Sequence, residues 1–185
     1  MSEPAHSFSD IRLAVIGGSG FYTMPGLEEI QEMRIETPYG LPSAPIISGK
    51  LLGQRIIFLA RHGENHQLLP SEIPQQANIW ALKSIGVERI IAVSAVGSLR
   101  KDYSPEDLVV PDQLIDRTSG NRPATFFGNG IVAHVSMAEP FCRVLREDII
   151  EAITTAILGF SNNKFAIKLL NFLPTFLKKL YFISS

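Results

Sequence analysis

The chain has 185 residues, of which 45% are hydrophobic and 19% charged, and this is enough apolar material for a globular domain with a substantial core. The formal net charge of −1 at pH 7 gives no reason to expect nucleic acid or a membrane as a partner, so an anion site would have to be local. Cys142 is the only cysteine, which excludes an internal disulfide, and the N-terminus lacks the pattern of a signal peptide; we therefore expect a cytoplasmic protein.

The N-terminal half of the sequence is dominated by predicted strands and turns. Residues 13–16 form an apolar run that ends at a glycine cluster, which predicts a short buried strand. The stretch "EMRIETPYG" alternates apolar and polar residues and predicts a strand that ends in a Pro/Gly turn. Residues 46–50 and 55–60 are strand-like runs around Gly53, and they predict a β-hairpin.

The hydrophobic period changes to that of a helix in "PSEIPQQANIWALKSIGV". There Ala77, Trp80, Ala81 and Ile85 fall near helical spacing, and Gly86 suits the end of a helix. The following "RIIAVSAVGSL" predicts another buried strand. Strand, turn, helix and strand in this order favour an α/β domain built around a buried sheet.

The next segments predict two short strands and a second helix. "DLVVPDQLIDRT" contains two strand-like pieces that are broken by Pro111. "PFCRVLREDIIEAITTAI", from Pro140, predicts an amphipathic helix with its charges on one side. The candidate buried stripe of this helix consists of Val144, Leu145, Ile149 and Ile153.

The composition changes abruptly near residue 156. Residues 156–185 contain four Lys and five of the chain's eleven Phe, but no Asp, Glu or Arg. We expect that this tail does not continue the domain before it. A basic segment that lies on a membrane surface is the alternative, although the longest uncharged run has nine residues, including Pro174, and is too short to span a bilayer.

The first of three segments that suit an anion is "AVIGGSGFY", in which Ser19 lies within a glycine cluster. A glycine turn after a strand exposes backbone N–H groups to a ligand, although such turns also occur for purely conformational reasons. A dinucleotide-binding module would require G-x-G-x-x-G at the start of a helix, and the third glycine is absent here. The dinucleotide alternative is therefore disfavoured.

The second segment, "ARHGENH", follows an apolar strand, where α/β proteins commonly bind ligands. Arg61 can direct two N–H groups at phosphate oxygens, and His62 adds a further donor. A solvated surface turn is the plain alternative. A metal site made of His62, Glu64 and His66 matches no recognised zinc spacing, so we expect no metal.

The third segment, "VSAVGSL", ends a strand in small residues, with Ser94 and Ser98 as hydroxyl donors. A tight bend after the strand is again the plain alternative. Because all three segments lie at predicted strand ends, together they favour one shared anion site.

The sequence resembles the methylthioadenosine phosphorylase group of purine nucleoside phosphorylases. The resemblance is carried by "AVIGGSGFY", "ETPYGLPSAP", "FLARHGENH", "QQANIWALKSIGVERIIAVSAVGSLR", "VVPDQLIDRTSG" and "HVSMAEPFC", in the order and spacing of the family from about residue 11 to 152. It implies a phosphorylase α/β fold with a mixed, barrel-like central sheet that is incomplete at the C-terminus. It also implies a division into a disordered N-terminus (residues 1–10), a phosphorylase domain (11–155) and a non-family tail (156–185).

The resemblance also implies the ligand and the site. The anion would be inorganic phosphate, a co-substrate, with no further cofactor. The phosphate positions of the family are matched by Ser19, Arg61, His62, Ser94 and Ala95. His134 resembles a residue that reaches the ribose pocket of the adjacent subunit in a homotrimer; a histidine satisfied within a subunit interface is the alternative.

The implied activity is phosphorolysis of 5′-methylthioadenosine to adenine and 5-methylthioribose 1-phosphate, in purine and methionine salvage. Methylthioinosine or another purine nucleoside is an alternative substrate, and a non-catalytic fragment or subunit is an alternative role. The family's purine-side acid lies downstream of the "MAEPFC" block and is not recognised here, so the catalytic acid is unknown. We accordingly expect weak phosphate binding and poor turnover.

Overall fold

A computed structural model of the chain describes residues 13–18, 20, 24–105, 107–118, 122–123 and 125–159. The chain divides into two compact units. The sheet unit comprises Met1–Ala95 and Asn121–Phe126, and the helix unit comprises Val96–Gly120 and Phe127–Ser185.

Five strands of the sheet unit form one mixed sheet in the order β2-β3-β4-β1-β5. The strands are β1 (Leu13–Gly17), β2 (Leu27–Met33), β3 (Ile46–Leu51), β4 (Gln54–Ala60) and β5 (Arg89–Ala92). β1 pairs in parallel with both β4 and β5, whereas β2, β3 and β4 pair antiparallel. The mixed sheet of the expected phosphorylase fold is confirmed, but among the described residues it is open and does not close into a barrel.

The predicted hairpin is confirmed as β3 and β4. Leu51 pairs with Gln54, so the connection has only two residues, Leu52 and Gly53. Both have positive φ, 52° and 78°, as a type I′ turn requires. Glycine adopts this conformation without a Cβ clash, and the turn fixes which residues of the two strands pair.

β2 lies at an edge of the sheet and is shorter at its C-terminal end than the sequence predicts. Only the first two residues of "EMRIETPYG" belong to β2, because Met33 already pairs with Ile46, where β3 begins. The Pro/Gly turn is confirmed: the backbone N–H of Tyr39 donates to Oγ1 of Thr37 at 3.0 Å. Within β2 the pairing shifts between Glu28 and Gln31, which is a β-bulge.

The helix α1 (Gln75–Ser84) contributes to the core of the sheet unit and confirms the predicted helix. Its Ala81 and Leu82 are fully buried, in one hydrophobic cluster with Ile57 and Leu59 of β4. Full burial of one leucine or isoleucine side chain contributes roughly 1.5–3 kcal/mol. Gly86, with φ of 88°, ends the helix as predicted, and its N–H donates to the carbonyl of Lys83.

The helix α2 (Arg143–Gly159) belongs to the helix unit and confirms the second predicted helix. Leu145, Ala152 and Ala156 are buried, and Ile149 and Ile153 are half-buried. Val144 was wrongly assigned to the buried stripe and is 53% exposed. The buried positions follow spacings of seven and four residues, and Val144 lies about 100° around the helix from Leu145.

The two strands predicted in "DLVVPDQLIDRT" are wrong, since residues 107–118 contain neither helix nor strand. Side chains satisfy the backbone there instead. Nε2 of Gln113 donates to the carbonyl of Ala138 at 3.2 Å, and the N–H of Thr118 donates to Oδ1 of Asp116 at 2.8 Å. Such side chain–backbone bonds compete with a β-ladder when no strand lies alongside.

The predicted boundary between domain and tail falls inside α2, which continues to Gly159. The tail from residue 160 and the N-terminal residues 1–12 lie outside the described residues, so the division at 10 and 155 stays a prediction. Neither described helix is long and apolar enough to cross a membrane.

Candidate functional site

The carboxyl ends of three parallel strands meet at one edge of the sheet. Gly17 at the end of β1 pairs with Ala60 at the end of β4, and Ile16 pairs with Ala92 at the end of β5. Backbone bonds continue just beyond the strands: the N–H of Arg61 donates to the carbonyl of Gly17 at 3.1 Å. The three segments singled out from the sequence therefore begin side by side, where ligands commonly bind to α/β sheets.

Arg61 lies directly against the segment that follows β5. Its Nη2 donates to Oγ of Ser94 at 2.8 Å, and its Nη1 donates to the carbonyl of Val93 at 3.4 Å. A guanidinium has five N–H donors, so further donors remain for a ligand after these contacts. The side chain is half-buried, and within the described part of the chain no carboxylate pairs with it.

His62 is fixed by a closed loop. Its Nδ1 lies 2.9 Å from the carbonyl of Leu68, and the N–H of Leu68 donates to the carbonyl of His62 at 3.0 Å. Because a carbonyl only accepts, this contact places a hydrogen on Nδ1 and leaves Nε2 outside the contact with Leu68. Gly63 has φ of 81°, which allows the tight turn after His62. His66 packs its ring against that of His62, edge to face, with centroids 5.4 Å apart.

A buried polar network holds the turn that carries Arg61 and His62. Oγ of Ser43 donates to the carbonyl of Ala60 at 2.8 Å, and that carbonyl also accepts from the N–H of Gly63 at 3.2 Å. The N–H of Ser43 donates to Oδ1 of Asn78 on α1, again at 2.8 Å. Ser43 and Asn78 are both buried, so these bonds are shielded from water and tie the turn to the helix.

A cavity of about 530 Å³ opens beside these groups. Its lining consists of Ile16, Arg61, His62, Pro70, Ile73, Gln75, Asn78, Ile79, Ile90, Ala92, Ser94 and Arg122. Among the described residues, this lining has two guanidiniums, an imidazole, a hydroxyl and two amides but no carboxylate, and the rest is apolar. This chemistry suits a molecule that has an anionic group and an apolar body.

The structure brings together Arg61, His62 and Ser94 of the residues identified from the sequence. Ala95 follows Ser94 and is exposed, and Ser19 lies outside the described residues. His134 belongs to the helix unit and is exposed there, so its role toward an adjacent subunit stays a prediction. Ser98 also belongs to the helix unit, where its Oγ accepts from the N–H of Arg100 at 3.0 Å.

Several lining residues were not found from the sequence. Asn78 and Gln75 belong to α1, which the apolar period predicts as a helix without marking its polar positions. Arg122 lies in a loop without a motif of its own. The one available signal was an asparagine at a helix position that is expected to be buried, because a buried amide requires hydrogen-bond partners.

Comparisons with known proteins agree with this architecture. The sequence model described as "Phosphorylase superfamily" matches residues 12–163. S-methyl-5′-thioadenosine phosphorylase of Hyperthermus butylicus is 57% identical over 148 residues, which are 80% of this chain and 53% of that protein. The chain spans about half the length of the curated relatives it matches.

Solved structures show the same likeness. A methylthioadenosine phosphorylase from an antarctic soil metagenomic library superimposes with a TM-score of 0.76 at 50% identity, covering 80% of this chain and 52% of that one. Methylthioadenosine phosphorylase from Schistosoma mansoni in complex with adenine superimposes with a TM-score of 0.72 at 38% identity, covering 78% and 54%. Since the family match includes all five strands and the segments that line the cavity, the chain belongs to the phosphorylase superfamily.

Proposed function

We propose that the chain binds inorganic phosphate at Arg61, His62 and Ser94 and uses it for phosphorolysis of 5′-methylthioadenosine, with turnover impaired because no purine-side acid is recognised in the sequence. The products are adenine and 5-methylthioribose 1-phosphate. The observation that carries the proposal is the hydrogen bond of 2.8 Å between Nη2 of Arg61 and Oγ of Ser94, at the edge where three strand ends meet. The names of the relatives and the adenine bound to the Schistosoma mansoni enzyme support the choice of nucleoside.

The chemistry needs phosphate held in one orientation. An oxygen of phosphate forms a bond to C1′ of the ribose while the bond from C1′ to the purine nitrogen breaks. The electron pair leaves with the purine, which takes up a proton. Positioning by a guanidinium fork and an imidazole lowers the entropic part of the barrier. The negative charge of phosphate also stabilises the cationic character that develops at C1′.

The cavity wall suits the rest of the nucleoside. Ile16, Ile73, Ile79 and Ile90 are apolar and suit a methylthio group, a ribose face or a purine ring. In the part of the chain that the structure describes, no carboxylate lines the cavity to repel phosphate from Arg61. The group that protonates the purine is not assigned.

The proposal extends to the assembly and the setting of the protein. We place the chain in a homotrimer in the cytoplasm, with His134 reaching the ribose side of the adjacent subunit's site, in purine and methionine salvage. No cofactor other than phosphate takes part. The mass of the particle in solution tests the trimer, and exchange of subunits between an H134A chain and an R61A chain tests the shared site.

The phosphate site is tested by calorimetric titration of the full chain with inorganic phosphate. R61A should weaken binding roughly 10–100-fold, since it removes charge-assisted hydrogen bonds. R34A is the matched control: it removes the same charge from a side chain that is 77% exposed and pairs with Glu32. Absence of phosphate binding in the wild type, or equal binding by R61A, would contradict the proposal.

The reaction is tested by following adenine release from methylthioadenosine with phosphate present. Release that depends on phosphate and falls with R61A supports phosphorolysis. Hypoxanthine release from methylthioinosine, in place of adenine, would move the substrate to a 6-oxopurine. Phosphate binding without release of either base would make the chain a non-catalytic phosphate binder.

A further inference from the structure

We infer that Arg122 is a second arginine of the phosphate site, and that the contacts of Thr125 and Phe126 help to hold it at the cavity. This inference rests on the proposed function, because it assigns a further ligand to the same phosphate. Arg122 lies 61 residues after Arg61 in the sequence, yet both guanidinium side chains line one cavity.

The environment of Arg122 is that of a cation that lacks a counter-charge. The side chain is half-buried, and within the described part of the chain it has neither a carboxylate partner nor a hydrogen bond. Partial loss of water around a charge is costly unless a partner of opposite charge replaces it. The described residues that line the cavity include no carboxylate, so an anionic ligand is the group that would supply this partner.

Thr125 and Phe126, which follow Arg122 closely in the sequence, each contact another part of the sheet unit. Nε2 of Gln76 on α1 donates to the backbone carbonyl of Thr125 at 2.7 Å. The ring of Phe126 packs edge to face against Tyr39, with centroids 5.4 Å apart and an interplanar angle of 81°. These two residues are therefore tied to the helix that bears Asn78 and to the turn after β2. A guanidinium close to such fixed points loses less conformational freedom when it binds a ligand.

Two guanidiniums fit phosphate better than one. Each planar fork can direct two parallel N–H groups at a pair of oxygens, and phosphate has enough oxygens for both forks. Arg61 would bind from the strand ends and Arg122 from the loop, which leaves the hydroxyl of Ser94 and the imidazole of His62 for the remaining directions. The arrangement favours a divalent oxyanion over a monovalent ion such as chloride.

The experiment titrates inorganic phosphate into the wild-type chain and into R122A, R61A, R34A, Q76A and the double variant Q76A/R122A. We expect R122A to weaken phosphate binding roughly tenfold, as loss of charge-assisted hydrogen bonds does. R34A should bind like the wild type. Q76A should weaken binding about threefold, and the double variant should bind no more weakly than R122A, because Gln76 acts through Arg122.

The outcomes separate this inference from the proposed function. If R61A loses phosphate and R122A binds like the wild type, Arg122 is not a ligand and the phosphate site at Arg61 stands. If the wild type binds no phosphate, both fall. If Q76A and R122A weaken phosphate binding additively, the hydrogen bond from Gln76 to Thr125 does not act through Arg122. Rescue of R122A toward wild-type affinity by guanidinium in solution, but not by sodium, would be a direct signature of the missing group; unfolding by urea checks that each variant is folded.

Discussion

The sheet unit and the helix unit differ in how their backbone groups are satisfied. In the sheet unit, neighbouring strands of the five-stranded sheet pair through backbone hydrogen bonds, and β4 is buried from Ile56 to Ala60. Among residues 96–105, 107–118 and 127–159 of the helix unit, α2 is the one helix or strand. Apolar side chains such as Leu99 and Ile115 are fully or largely exposed there.

Apolar, β-branched sequence therefore forms a strand only where a neighbouring strand accepts its hydrogen bonds. "RIIA" and "LVV" look alike, but the first pairs with β1 as β5 and the second has no ladder. The side chains that line the cavity all come from the sheet unit, where pairing fixes the backbone before any ligand binds.

The greatest loss of stability is expected for a core side chain of the sheet unit, and it can be compared directly with an exposed side chain of the helix unit. Phe58 is 1% exposed and pairs with Val15 and Ile47 on either side, so F58A should lower the free energy of unfolding by about 3–5 kcal/mol. I115A, at a side chain 86% exposed, should change it by less than about 0.5 kcal/mol. Urea unfolding followed by the fluorescence of Trp80, the single tryptophan, measures both. Equal losses would erase the contrast.

The next effect asks whether the helix unit has a core of its own. Leu145 is 7% exposed, whereas its neighbour Val144 is 53% exposed. L145A should cost about 2–3 kcal/mol, and V144A little, because only the first leaves a cavity. Circular dichroism during urea unfolding reports on α2. A large loss in V144A would mean that this face is covered in solution.

A smaller effect tests the network beneath the site. S43A removes the donor to the carbonyl of Ala60 and should cost about 1–2 kcal/mol of stability. It should also weaken phosphate binding, because the turn that carries Arg61 loses a support. S84A is the matched control: it deletes a hydroxyl that donates to the carbonyl of Ala81, also at 2.8 Å, within the last turn of α1. Similar phosphate binding by both variants would limit Ser43 to stability.

The smallest effect concerns an ion pair on the surface of the sheet. Lys50 donates to Glu29 at 2.7 Å, and Arg55 lies 3.4 Å away, so the pKa of Glu29 is lowered from its ordinary 4.5. A lowered carboxyl pKa adds stability above the ordinary value, and this is lost as the pH falls from 4.5 through the folded-state pKa. E29Q should therefore lose slightly less stability on acidification. Urea midpoints at neutral pH and near pH 3 measure the difference; an unchanged pH dependence would show the pair to be inert.

The elements that were predictable from the sequence are those set by local signals. Gly53 between two apolar runs fixes a hairpin, and Gly86 ends α1, because both need a positive φ. The predictions that were wrong concern segments whose hydrogen-bond partners lie far away in the chain. β2 ends where β3 begins, and residues 107–118 find side chains rather than a strand.

The residues of the site also divide into those that the sequence predicts and those that it does not. Arg61 and Ser94 could be placed near each other from sequence, because parallel strands present their carboxyl ends at one edge. Ser43, Asn78 and Arg122 could not, since only tertiary packing brings Asn78 and Arg122 to the cavity and Ser43 to the turn that carries Arg61. Ser19 lies outside the described residues, and its place in the site stays a prediction.

The bulge in β2 has a consequence for how this sheet meets other molecules. β2 is an edge strand with an outward row of N–H and C=O groups that could template a strand from another chain. Its sequence "LEEIQEM" puts Glu28, Glu29 and Glu32 on that edge, and the bulge between Glu28 and Gln31 breaks the regular spacing of the ladder. A sheet that approached would meet charged side chains, among them the ion pairs of Glu29 and Glu32, and a displaced backbone, so this border disfavours fibril-like growth.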